Sequence, residues 1–100
     1  MPPFPQPLAV GLAHLPKEAS HSQRTEIRIA MALHANSEGY SLVATFETSG
    51  NAGGDGAAFQ ALEDLAVRLN ADALIVSGSV DVVRAHEMAY RVRLRVIEMQ

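Results

Sequence analysis

Three arginines at alternate positions, Arg91, Arg93 and Arg95, are the residues of this chain best suited to meet an anion. They lie in the run Tyr90-Arg91-Val92-Arg93-Leu94-Arg95-Val96. On a β-strand they would point one way, about 7 Å apart, which suits DNA phosphate or an acidic protein surface. The plainer use of such a ladder is a solvated edge strand protected by charge from aggregation. The net charge of −3 favours that plainer use. Even so, residues 84–100 carry +2 and the rest of the chain −5, so the C-terminal stretch is where an anion would be met.

Ser20 and Ser22 flank His21 in a polar stretch and could supply a nucleophilic hydroxyl. A helix-capping serine in an ordinary loop explains the same residues more simply. The glycine-rich segment Gly50-Asn51-Ala52-Gly53-Gly54-Asp55-Gly56 precedes a predicted helix, as phosphate-cradling loops do. It lacks the Lys-Ser/Thr pair of a P-loop, and Asp55 would repel a phosphate. A plain connection is favoured, with Asp55 capping the helix. His14, His21, His34 and His86 show no metal-ligand spacing, and no metal or other cofactor is expected. The chain has no cysteine, which excludes disulfides, thiolate metal sites and cysteine nucleophiles.

The elements that would hold these residues follow from apolar spacing. Residues 1–7 hold four prolines and read as a flexible leader, and residues 8–100 as one domain. Leu8–Ala13 reads as a buried strand. A helix over about 24–38 turns Ile27, Ala30, Met31, His34 and Ala35 to one side, and Gly39 stands at its C-terminal stop. Tyr40–Phe46 is a second strand. Ala57–Asn70 is a helix with the stripe Phe59, Leu62, Leu65, Ala66 and Leu69. Ala73–Val76 is a third strand. Val80–Ala89 reads as a short helix before a last strand over 90–96, with one long helix through that region as the competitor. Strands alternating with helices predict an α/β fold: a single open, mostly parallel sheet of about four strands with helices on both faces.

The segment Met31–Asp81 resembles the N-terminal catalytic domain of serine recombinases of the resolvase and invertase type. The similar residues are the helix end Ala35 to Glu38-Gly39-Tyr40 and the strand Leu42-Val43-Ala44-Thr45-Phe46. The helix Phe59-Gln60-Ala61-Leu62-Glu63-Asp64-Leu65 and the strand Asp72-Ala73-Leu74-Ile75-Val76 leading to Val80-Asp81 complete the match. With the first strand added, it spans most of the chain. The resemblance implies a three-layer fold, a link to DNA recombination and an active site after the first strand. At the positions where the family carries Tyr, Arg and the nucleophilic Ser, this chain has Leu12, His14 and Pro16. Ile27 replaces a helix glutamine, and Gly56-Ala57 replaces an Arg-Pro pair. Of the Asp-Arg-Leu-x-Arg motif, Asp81-Val82-Val83-Arg84-Ala85 keeps the aspartate alone. Without nucleophile and arginines, neither attack on phosphate nor its electrostatic support is available. The resemblance thus implies a scaffold whose chemistry is lost, and no enzymatic activity is expected.

The leading expectation is a non-catalytic interaction module that forms a homodimer, since a small core gains from burying an apolar face in a partner. A DNA-binding accessory using Arg91, Arg93 and Arg95 is the second reading. The third is a small-ligand or nucleotide-binding domain with its pocket near Ala13-His14, Glu47-Thr48 and Ser77-Gly78. Ser20 and Ser22 are the only candidate nucleophiles near the family's active-site loop. The absence of cysteine, of a signal-peptide pattern and of a long apolar run leads us to expect a cytoplasmic protein with no membrane contact.

Overall fold

The computed structural model describes residues 6–49, 52–78 and 82–99, with the backbone alone at 52–55. Four strands alternate with three helices: β1 (Leu8–His14), α1 (His21–Ser37), β2 (Ser41–Thr48), α2 (Ala52–Leu69), β3 (Ala73–Ser77), α3 (Val82–Val92) and β4 (Arg95–Glu98). The strands form one parallel sheet in the order β2-β1-β3-β4. The chain steps one way from β1 to β2, then back across β1 to β3 and on to β4. Right-handed crossovers therefore put α1 on one face of the sheet and α2 with α3 on the other. This is the open three-layer α/β fold that the apolar pattern predicts.

Strand β1 explains how the layers pack. Its small residues Ala9, Gly11 and Ala13 face α1, while Val10 and Leu12 face α2 and α3. The core beneath α2 and α3 is built from Val10, Leu12, Phe59, Leu62, Leu74, Val76 and Met88, together with several alanines and Leu94. Beneath α1 it is smaller and richer in alanine: Ala9, Ala13, Met31, Ala35, Ala73, Ile75 and Ile97. Gly11 is what allows α1 to lie close. A Cβ there would stand 2.8 Å from Met31 Cε and 3.3 Å from Leu42 Cδ1.

The pairing of β1 with β2 shifts register between Ala9/Leu42 and Val10/Ala44, leaving Val43 as the extra residue of a bulge. The bulge reverses the alternation of β2. Leu42 packs toward α1, whereas Phe46, four positions on, packs toward α2. Strand alternation alone would place both on one face.

Several boundaries differ from the sequence-based expectation. The segment expected to be a glycine-rich loop is partly helical: α2 starts at Ala52, so Gly53, Gly54, Asp55 and Gly56 lie inside it and Asp55 is not its cap. Glycine disfavours helix by about 1 kcal/mol per residue, which is why the start was hidden in the sequence. Pro7 is already tied to the sheet, its carbonyl accepting the Ser41 N–H at 2.9 Å. The rest of the proline leader, residues 1–5, lies outside the described residues.

The largest correction concerns the last strand. The run from Tyr90 is not extended; α3 continues to Val92, Arg93 turns with φ 61°, and β4 begins only at Arg95. The Leu94 N–H donates to the Ala89 carbonyl at 2.8 Å, closing the helix end. The alternating apolar residues are real, but Val92 packs from the helix and Leu94 from the turn. Among the described residues no helix is long and apolar enough to cross a membrane.

Candidate functional site

In open parallel α/β sheets, ligands gather at the carboxyl ends of the strands, beside the point where strand order reverses. Here that point lies between β1 and β3, and the residues around it are His14, Leu15–Ser20, Thr48-Ser49 and Ser77-Gly78. The Leu15 N–H donates to the Thr48 carbonyl at 2.8 Å, joining the ends of β1 and β2. His14 Nδ1 stands 3.5 Å from the Thr48 hydroxyl. On its other side Gly78, at φ +80°, comes so near that a Cβ would lie 3.1 Å from the His14 carbonyl oxygen. Glycine is required there both for the backbone conformation and for the room. His14 is thereby held between β2 and β3 at the reversal point.

On the α1 side of this edge is a cavity of about 210 Å³ lined by Leu15, Pro16, Lys17, Arg24, Glu47 and Thr48, with Ser49. Glu47, four-fifths shielded from water, receives Arg24 Nη1 at 2.7 Å and Arg28 Nη2 at 3.1 Å. Arg24 also reaches back with Nε to the Ala19 carbonyl at 3.4 Å. These bonds clamp the first turns of α1 to the end of β2 and to the incoming loop. With Lys17 and Arg24 against Glu47, the cavity lining carries a net charge of +1.

Ser20 is the N-cap of α1. Its hydroxyl accepts the Gln23 N–H at 3.1 Å, and the Gln23 side chain accepts the Ser20 N–H at 2.8 Å. This reciprocal capping box is the role the capping interpretation assigns to it. Ser22 follows on the exposed side of the first turn. Of the residues standing at the resembled family's chemical positions, Leu12 is fully buried core, His14 ends β1, and Pro16 is exposed in the loop. Asp81 lies outside the described residues. Arg84 lies over the Phe59 ring, 4.6 Å from its centroid.

Arg91, Arg93 and Arg95 do not form a ladder. Arg91 belongs to the last turn of α3, Arg93 to the turn, and Arg95 to the edge strand β4. The guanidinium of Arg91 donates twice to Glu63 Oε1 on α2, at 3.1 Å from Nε and 2.7 Å from Nη2. Its site is the groove between α2 and α3, about 580 Å³ and lined by Glu63, Asp64, Val67, Arg68, Arg91 and Val92. His34 is half-buried at the flank of α1, with Nε2 3.9 Å from Glu38. Among the described residues no three His, Asp or Glu side chains are grouped to hold a metal ion.

Sequence reasoning missed the Glu47 clamp and the His14–Thr48 contact because both depend on the register of β1 against β2. The acidic residue at the end of a strand, together with Arg24 and Arg28 one turn apart on α1, was the only available signal. Comparison with protein-family models, curated proteins and solved structures returns no match.

Proposed function

We propose that this chain is a non-catalytic interaction module on a resolvase-like α/β scaffold, and that it forms a homodimer. The observation carrying this reading is apolar side chains on the water-facing sides of two helices. Ile29 is 56% and Leu33 66% exposed on α1; Val83 is 69% and Tyr90 88% exposed on α3. A 100-residue core is of marginal size, and covering such surface in a partner adds stabilisation. Pro16 at the position of the family's nucleophile, and the engagement of the Ser20 hydroxyl as a helix cap, support a role without covalent chemistry. Any link to DNA recombination rests on the resemblance in sequence. Size-exclusion chromatography with light scattering, run across a hundredfold range of concentration, tests the reading. A mass rising from one chain to two is expected; a single-chain mass throughout refutes it.

A second reading, a small-ligand domain, is favoured by the cavity beside Lys17 and Arg24. Its volume is below the usual 300–1,000 Å³ of ligand pockets, which ranks it behind. Thermal-shift measurement with nucleotides and with inorganic phosphate decides it: stabilisation abolished by Lys17→Ala would move the assignment to this site. The DNA-accessory reading loses the ladder that suggested it, since Arg91 is committed to Glu63.

A further inference from the structure

The cavity at the carboxyl ends of β1 and β2 holds more positive charge than its own carboxylate balances. Arg24 Nη1 meets Glu47 Oε1 at 2.7 Å and Arg28 Nη2 meets Oε2 at 3.1 Å, so both carboxylate oxygens are already served. Lys17 lines the same cavity, and among the described residues its ammonium makes no ion pair or hydrogen bond. Arg24 also keeps a donor in reserve. Its Nε goes to the Ala19 carbonyl and its Nη1 to Glu47, which leaves Nη2 unbonded among the described residues. Lys17, Arg24, Arg28 and Glu47 together carry +2, in a chain whose net charge is −3.

These groups are held by elements that are fixed to one another. The Ala19 N–H donates to the Pro16 carbonyl at 3.0 Å, so Lys17 stands in a tight turn directly after β1. The Leu15 N–H donates to the Thr48 carbonyl, which ties the start of that turn to the end of β2. Arg24 comes from the first turns of α1, and its side chain is 36% exposed, so water screens its charge only in part. The larger groove between α2 and α3 has no such surplus, since Glu63 and Asp64 balance Arg68 and Arg91.

We infer that this cavity holds the phosphoryl group of a small phosphorylated molecule, with Lys17 Nζ and Arg24 Nη2 as its donors. The inference rests on the small-ligand reading and names its ligand class; it is independent of pairing with a second copy. A phosphoryl dianion matches a surplus of two positive charges, and its three oxygens accept from two donors at once. A carboxylate carries one charge and leaves one cation unbalanced. Glu47 fixes the Arg24 guanidinium, and Arg28 offsets the negative charge that would otherwise oppose the ligand. At about 210 Å³ the cavity takes a head group and leaves the rest of the molecule outside.

Two charge-assisted hydrogen bonds at a part-exposed site place the Kd for inorganic phosphate at about 1 mM. The test is an amide chemical-shift titration at pH 8 and constant ionic strength, with inorganic phosphate and, as the monoanion, acetate. Phosphate is expected to move the signals of Leu15, Lys17, Arg24 and Thr48 to saturation, and acetate to bind about tenfold more weakly. Lys17→Ala is expected to raise the phosphate Kd about tenfold. Lys17 is exposed, and a circular dichroism melt reports that the variant remains folded. Arg95→Ala removes one positive charge from β4 and is expected to leave the Kd within about twofold. Shifts that do not saturate by about 50 mM phosphate, or an equal loss of affinity in Lys17→Ala and Arg95→Ala, overturn the site. Acetate binding as tightly as phosphate overturns the choice of a phosphoryl group. If phosphate fails while adenosine, which carries no phosphate, raises Tm, the phosphoryl site falls and the small-ligand reading stands. If phosphate, adenosine and nucleotides all fail, both fall.

Discussion

The two faces of the sheet are built on different plans. Under α2 and α3, large side chains interlock: Leu12, Phe59, Leu62, Leu74 and Met88 fill the space. Under α1, small residues bring the helix close, and Met31 lies over Gly11. The outer surfaces share a feature, since each sets apolar side chains toward water: Ile29 and Leu33 on α1, Val67 on α2, Val83 and Tyr90 on α3. One face is thus a self-sufficient core. The other is a thin layer of small residues over which a single helix packs closely.

The contrast can be broken from either side. The largest effect is expected from Leu12→Ala, which empties the better-filled core and costs about 3–4 kcal/mol in urea denaturation. Next comes Gly11→Ala, whose added Cβ meets Met31 Cε at 2.8 Å and Leu42 Cδ1 at 3.3 Å. Because the methionine end can shift, the cost is expected at about 1–2 kcal/mol; no loss would mean that α1 is not packed as closely as described. Ser20→Ala removes the capping box and is expected to cost about 1 kcal/mol. For a domain of this size that lowers Tm by roughly 4–8 °C. The smallest effect belongs to Glu47→Gln, since Arg24 and Arg28 are part-exposed and such ion pairs contribute about 0.5 kcal/mol. These measurements belong at low protein concentration, where association does not add to apparent stability.

The same contrast governs what the sequence revealed. Strands β1 and β3 and the stripe of α2 were legible because burial leaves an apolar record with the right period. The end of α2 was legible too, because Asn70 takes φ 54°, a conformation asparagine tolerates. The end of α3 uses Arg93 at φ 61°, and arginine there carries no such signal. The helix end therefore passed for a strand, and three arginines in three different settings looked like one ladder. The bulge at Val43 left no record, because it concerns only how β2 registers on β1. At the carboxyl edge, the Ser20 cap was readable from local sequence. The Glu47 clamp joins residues 23 positions apart and was not.

Pairing with a second copy through exposed apolar helix residues is the central proposal. Amide chemical shifts of the wild-type chain, recorded at 1 mM and again at 20 µM, test it most directly. Dilution is predicted to move the signals around an exposed apolar patch, Ile29 and Leu33 on α1 or Val83 and Tyr90 on α3, and to leave those of buried β3 in place. Spectra unchanged on dilution would contradict it.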